Sequence, residues 1–229
     1  MANEVIPYLE MCQREGASLQ RGMNFNLGKG YSVILMSVRP NAPYRDQFGE
    51  DGASVIYEGH DVPRGLAPDP KLVDQPDSTS AGRRTQNGMF WDAALSYRKG
   101  EQAPHIVKIY EKIHQGIWSY NGLFHLVDAW REQSGERSVF KFKLGASDSS
   151  HNGRRSYDWD MSEHRRLIPT PVKIEVWNRD RGMCVICGAT TELHFDHVLP
   201  YSKGGTSLIA HNVQLLCARH NLSKGAKLF

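Results

Sequence analysis

The residues best suited to chemistry lie between Cys184 and Lys224. Cys184 and Cys187 form a C-x2-C pair, and Cys217 and His220 form a C-x2-H pair. Two intervening residues let a tight turn aim both side chains at one ion, and Gly188 supplies such a turn just after Cys187. Thiolate and imidazole donors suit tetrahedral Zn2+, and four protein ligands would make the site closed and structural. The alternatives are a disulfide or buried free thiols. A disulfide scaffold concentrates many cysteines in a short secreted chain, whereas this chain has four in 229 residues and no stretch that reads as a signal peptide.

A second set implies different chemistry. Leu193-His194-Phe195-Asp196-His197-Val198 mostly alternates apolar and polar residues and reads as a short strand. Adjacent Asp196 and His197 would point to opposite faces of a regular strand, so they share a site only where the strand ends or bends. Hydrolysis of a phosphodiester needs a base for the water and a cation for the leaving oxygen. A neutral imidazole suits the first role, and a carboxylate holding a hard divalent cation suits the second.

Around this pair the sequence reads Asp196-His197-Val198-Leu199-Pro200-Tyr201-Ser202-Lys203-Gly204-Gly205, then Asn212-Val213-Gln214-Leu215-Leu216-Cys217, then His220-Asn221-Leu222-Ser223-Lys224. With the cysteine pair and the helix before it, residues 170–229 resemble the HNH nucleases of the ββα-metal fold. The resemblance implies that His197 is the general base and that Asp196 and Asn221 hold a catalytic divalent metal, Mg2+ or Mn2+. It implies that Asn212 orients His197 or its loop, and Lys224 is expected to contact DNA. The sequence departs from the commonest family pattern at His220, where Cys is commoner, and at Asn221, where His is commoner.

The rest of the chain must position this centre. Composition is that of a soluble globular protein, 40% hydrophobic and 23% charged, with no run long enough to cross a membrane. The net charge of +3 does not by itself announce nucleic acid. Residues 151–229 nevertheless hold 11 Lys and Arg against 7 Asp and Glu, so the positive excess sits with the nuclease-like segment. Residues 1–22 carry a modest helical pattern through Val5, Leu9, Cys12 and Leu19, and Cys12 reads as a small buried residue. Strands are expected at Tyr31–Val38, Ala53–Gly59, Ile106–Tyr110, Leu123–Trp130 and Val139–Leu144, with a short helix over Phe90–Tyr97. In the last strand Phe140, Phe142 and Leu144 are expected on one side and Lys141 and Lys143 on the other. The Pro- and Gly-rich stretch 39–52 reads as a structured loop and 60–85 as a second long loop, of a length that is usually functional or disordered.

Trp118-Ser119-Tyr120-Asn121-Gly122-Leu123-Phe124-His125-Leu126-Val127-Asp128-Ala129-Trp130, followed by Val139-Phe140-Lys141-Phe142-Lys143-Leu144, is similar to the SRA (or YDG) domain. Ser54–Gly59 and Gly82-Arg83-Arg84-Thr85 fall in matching order, and the likeness covers roughly residues 22–145. It implies recognition of a modified cytosine by base flipping, which needs flat clamps for the ring and partners for its Watson–Crick edge. Tyr44 and Tyr57 are the candidate clamp, against the alternative of ordinary core packing. Asp46, or Asp51 in another register, would accept from the cytosine N4 amino group. Arg83 and Arg84 would enter the DNA or bind phosphate, against the alternative of a solvated loop. Tyr120 and Gly122 read as structural.

Residues 145–169 form a polar connector, and Thr170-Pro171 is expected to cap a helix that Gly182 stops. The fold expected is α+β: a twisted, β-barrel-like SRA domain over 1–144 with an N-terminal helical extension, a linker over 145–169, and a zinc-stabilised ββα-metal HNH domain over 170–229. The function expected is a modification-dependent endonuclease for double-stranded DNA carrying 5-methyl- or 5-hydroxymethylcytosine. A homodimer in the cytoplasm of a bacterium or archaeon is the expected setting. The competing readings are a non-cutting reader of modified DNA and an HNH nuclease whose N-terminal part reads something other than methylation.

Overall fold

The computed structural model describes residues 2–146, 167–200 and 203–225. The fold is mixed α+β, mostly sheet with few helices. Its elements in chain order are β1 (Glu4–Pro7), α1 (Tyr8–Glu15), β2 (Met23–Asn24), β3 (Ser32–Met36), β4 (Gln47–Phe48), β5 (Ser54–Glu58) and α2 (Gln86–Arg98). Then follow β6 (His105–His114), β7 (Ile117–Ser134), β8 (Arg137–Ala146), α3 (Thr170–Arg179), β9 (Leu193–His197), β10 (Val213–Cys217) and α4 (Ala218–Lys224).

One sheet runs through the described residues in the order β10-β9-β1-β7-β6-β3-β2, and β7 also pairs with β8, which carries β5 and β4. β7 serves both arms because it is 18 residues long and bends. Its first half pairs with β6, and from Phe124 onward it pairs with β8. A bulge beside Tyr110 shifts the register, so that Gly122 opposes Ile109 while Tyr120 opposes Tyr110. Gly122 takes φ of +105°, a conformation open to glycine and costly for other residues. Alternating apolar residues then meet between the arms: Val107 and Ile109, Phe124 and Leu126, Phe140, Phe142 and Leu144, with Phe90 and Ala94 of α2 covering them.

Several sequence expectations shift for identifiable reasons. The helical pattern near the N-terminus covers only α1, because Gly16 ends it in the left-handed conformation and Val5 and Ile6 lie in β1 instead. α2 starts earlier than Phe90 because Thr85 caps it, accepting from the Gly88 N–H. Lys141 does not face solvent: it is 4% exposed and its Nζ reaches Glu58 Oε2 at 3.0 Å. Glu58 also meets the buried Arg137, so the charges on β5 and β8 pair internally.

The nuclease-like segment is built onto this sheet. β1 pairs antiparallel with β7 through Glu4–Tyr120, Val5–Ser119, Ile6–Trp118 and Pro7–Ile117. Its other edge meets β9 at Glu4–His194, and Phe195 N–H donates to Asn3 O at 2.9 Å. Val5, Ile113 and Ile117 pack with Ile168, Val172, Val176, Leu193 and Phe195 in one apolar cluster. Leu167 donates its N–H to Gly52 O, so the end of the expected connector joins the folded body.

Thr170 is the first residue of α3 and not its cap; Pro169 takes that place without a side-chain bond. The Thr170 hydroxyl instead donates to Glu111 of β6. Lys173, completely buried, donates to Glu111 Oε2 and to Asn121 Oδ1, both at 2.6 Å, and Asn121 Nδ2 donates to Glu111 Oε2 at 2.9 Å. Removing one member of a buried pair leaves an uncompensated charge. Lys173→Met is therefore expected to lower stability by about 3–5 kcal/mol in urea unfolding; an unchanged midpoint and slope would show that the pair contributes nothing.

Candidate functional site

The four-residue ligand set converges. Cys184 and Cys187 sit on the turn after α3, Cys217 ends β10, and His220 lies in the first turn of α4. Their donor atoms all lie within 4.8 Å of one another. Cys187 and Cys217 sulfurs are 3.8 Å apart, and His220 Nδ1 is 3.4 Å from Cys184 Sγ and 3.3 Å from Cys217 Sγ. A tetrahedral ion with Zn–S near 2.3 Å and Zn–N near 2.0–2.1 Å requires separations of about 3.8 Å between sulfurs and about 3.5 Å from sulfur to nitrogen. The donor set fits that polyhedron. A sulfur pair at 3.8 Å is also no disulfide, since S–S bonds are about 2.05 Å. Burial raises the Cys184 thiol, but the backbone N–H groups of Cys217, Cys187 and Ile186, with His220, outweigh it and bring the group down to about 6. A thiolate is the form a metal takes.

The second set forms on the same ββα unit. β9 pairs with β10, opposing His197 to Val213 and Asp196 to Gln214. β9 ends at His197, and the next N–H, of Val198, donates to Asn212 O at 2.8 Å. Asn212 then clasps the loop: its Oδ1 accepts from Leu199 N–H at 2.8 Å, and its Nδ2 donates to Leu199 O and Thr206 O. Gly205 makes the clasp possible, because a Cβ there would come within 1.8 Å of Leu199 O. His197 Nε2 lies 2.8 Å from the buried Ser207 hydroxyl, and burial lowers the imidazole pKa below its usual value. The ring is thus held neutral at neutral pH, as a base must be.

Asp196 is met from α4. Lys224, 1% exposed, places Nζ 2.5 Å from Asp196 Oδ2 and also donates to the His197 carbonyl. The expectation that Lys224 contacts DNA is therefore corrected: its ammonium is buried on the carboxylate and the strand end. Asn221 lies one turn earlier on α4, on the face that carries Lys224. Asp196 and Asn221 offer oxygen donors, the kind a hard divalent cation takes, and Asp196 Oδ1 has no hydrogen-bond partner among the described residues.

The N-terminal residues divide. A cleft of about 480 Å³ is lined by Tyr44, Asp46 and Tyr57, with Tyr8, Trp118 and Arg39 among its other walls. Asp46 Oδ2 accepts from Ser37 N–H at 3.0 Å and Oδ1 from Glu58 N–H at 3.1 Å, while burial pushes its pKa up to about 7. Asp51 instead closes a turn onto the N–H groups of Ala53 and Ser54. Tyr44 is half-buried and stacks on His60 at 5.3 Å. Tyr57 is only 1% exposed, within the apolar core, with its hydroxyl 3.1 Å from His60 Nε2. As a ring-facing clamp Tyr57 is thus corrected to core packing at the cleft floor. Tyr8 and Trp118, which sequence reasoning passed over for this role, are the less buried aromatics beside it. Arg84 is ion-paired at the surface: Asp92 accepts two bonds from its guanidinium at 2.6 and 2.8 Å, with Asp77 a third partner. Arg83 stands exposed at the tip of that hairpin.

Residues 184–228 match the family model for HNH endonucleases. The match takes in Asp196, His197, Asn212, Asn221, Lys224 and all four Cys and His ligands. No curated protein matches the chain. Among solved structures, the complex of the SUVH5 SRA domain with hemimethylated CG DNA is similar at 19% identity and TM-score 0.43, over 67% of this chain and 90% of that one. The modification-dependent TagI restriction endonuclease is similar at 17% identity and TM-score 0.41, over 97% of this chain and 76% of that one. KRYPTONITE in complex with mCHH DNA, a histone H3 peptide and SAH gives 13% identity and TM-score 0.43, over 69% and 34%. No helix among the described residues is long and apolar enough to cross a membrane.

Binding energy of a structural metal is folding energy where the site exists only in the folded state. Cys184→Ser is expected to abolish stoichiometric metal in the purified protein, measured by plasma emission, and to strip amide protection from β9 and β10. Full metal content in the variant would remove Cys184 from the ligand set.

Proposed function

We propose that the protein is a modification-dependent DNA endonuclease. The observation that carries this reading is the ββα unit. There a neutral imidazole ends β9 and a carboxylate with one oxygen unbonded among the described residues precedes it, all inside the segment matched to HNH endonucleases, with Asn221 on the facing helix α4. His197 takes a proton from water, and the hydroxide attacks the phosphorus while the bond to the leaving oxygen breaks. Asp196 and Asn221 would hold a divalent cation, Mg2+ or Mn2+, which supplies stabilisation of the leaving oxygen. Asn212 acts through the loop it clasps, fixing where His197 stands. Zinc in the Cys184, Cys187, Cys217 and His220 site would hold the ends of this unit together.

The N-terminal part, over 1–144, reads the substrate. Its resemblance to the SRA domain and the cleft beside Asp46 support extrusion of a modified cytosine into that cleft, Asp46 accepting from the N4 amino group and Tyr44, with Tyr8 or Trp118, offering a flat wall. Arg83 reaches the duplex from the hairpin tip. Double-strand breaks require two centres, so the active form on DNA is a homodimer. Such an enzyme would act in the cytoplasm of a bacterium or archaeon.

One plasmid prepared unmodified, 5-methylated and 5-hydroxymethylated is expected to be cut only when modified. Cutting of all three would assign another role to the N-terminal part, and binding without cutting would leave a reader. His197→Ala is expected to retain modified-DNA binding and to lose cleavage by about 10²-fold or more; cleavage at the wild-type rate would exclude it as the base.

Asp46 adds a pH dependence. Its folded pKa is raised to about 7, so the accepting carboxylate prevails above that pH and is lost as pH falls. Preference for modified over plain DNA in fluorescence anisotropy is expected to weaken from pH 8 to pH 6. A preference that strengthens on acidification would exclude Asp46 as the acceptor.

A further inference from the structure

We infer that the spacing between the modified base and the cut is set by a rigid junction, with Lys173, Glu111 and Asn121 as positioning residues, and not by the length of the connecting segment. The inference rests on the function proposed above. Three independent observations carry it. First, β9 continues the sheet of the N-terminal part through β1, which is hydrogen-bonded on both edges. Second, the apolar cluster of the nuclease segment is shared with the N-terminal part: Val5, Ile113 and Ile117 pack into it beneath α3, β9 and β10. Third, α3 is anchored in β6 and β7 by a completely buried charge pair at 2.6 Å, with the bulge residue Asn121 and the Thr170 hydroxyl closing its remaining bonds. Such a cluster is satisfied in one geometry only. Sliding or rotating α3 on the sheet would strand Lys173 or Glu111 without a partner inside the protein, which costs far more than a surface contact. The backbone of β1 adds a register that cannot slip by one residue without turning Val5 out of the core.

The consequence is directional. A nuclease tethered by flexible chain samples many phosphates, whereas one seated on the reader's own sheet meets a narrow set. Residues 147–166 join the two parts and lie outside the described residues. An insertion of about ten Gly and Ser residues after Ser150 lengthens a flexible tether over 147–166 by on the order of 6 Å in root-mean-square span. At about 3.4 Å per base pair that is roughly two base pairs.

The test maps cut positions on a duplex carrying one modified cytosine, with wild-type protein and the insertion variant, by end-labelled fragment sizing. Superimposable patterns are expected. A spread or shift of about two base pairs or more in the insertion variant would overturn the inference. Lys173→Met is expected to broaden the pattern, a readout that loss of stability alone does not move. Absence of any cutting of modified DNA by wild-type protein would instead count against the proposed function. In that event calorimetry of the full chain decides the junction: one unfolding transition, kept in the insertion variant, upholds it, and two separate transitions overturn it.

Discussion

The structure depends on a four-residue strand whose two edges are both occupied. β1 gives one edge to β7 and the other to β9, so the N-terminal sheet and the ββα unit share a single ladder. Everything at the catalytic centre is referred to that ladder. β9 carries Asp196 and His197 at its far end, β10 opposes it residue by residue, and α4 returns across both. Without β1, β9 would become an open edge, and the short β9–β10 pair would rest on α3 and α4 alone.

Two buried electrostatic devices complete the arrangement. At the junction, Lys173 and Glu111 are completely enclosed, and their geometry fixes α3 against β6. At the centre, Lys224 holds the Asp196 carboxylate and the end of β9 together. Both trade generic stability for position, because an apolar pair would often pack as well but would not define one orientation. The Cys and His cluster acts in the same sense at the opposite end of β10, tying the turn after α3 to the start of α4. The Cys and His cluster and the set of Asp196, His197 and Asn212 are thus separate on one small unit.

Local signals were legible in the sequence and nonlocal ones were not. The ligand spacing in Cys184–Cys187 and Cys217–His220 is a property of two turns, and those four side chains do converge. β-rich runs located β3 and β5, and period-two alternation located β8. That alternation set Lys141 opposite the apolar face but gave no sign of its burial, because its partner Glu58 lies on another strand 83 residues away. β1 hid inside a helical pattern, since pairing with β7 and β9 leaves no mark near Val5 and Ile6. Thr170 was read as a helix cap and Lys224 as a contact to DNA. Both are instead claimed by distant carboxylates, Glu111 and Asp196. Tyr57 carried the composition of a clamp, but the strand it sits on turns its ring into the core.

The shared ladder is the claim most open to direct measurement. Native-state hydrogen exchange on the full chain, read at the amides of Ile6, Phe195 and Leu215, reports whether the pieces open together. The account predicts that the three open at one common free energy, equal to that of the amides in β7. Exchange of Phe195 and Leu215 through an independent, lower-energy opening, with β7 still protected, would contradict it.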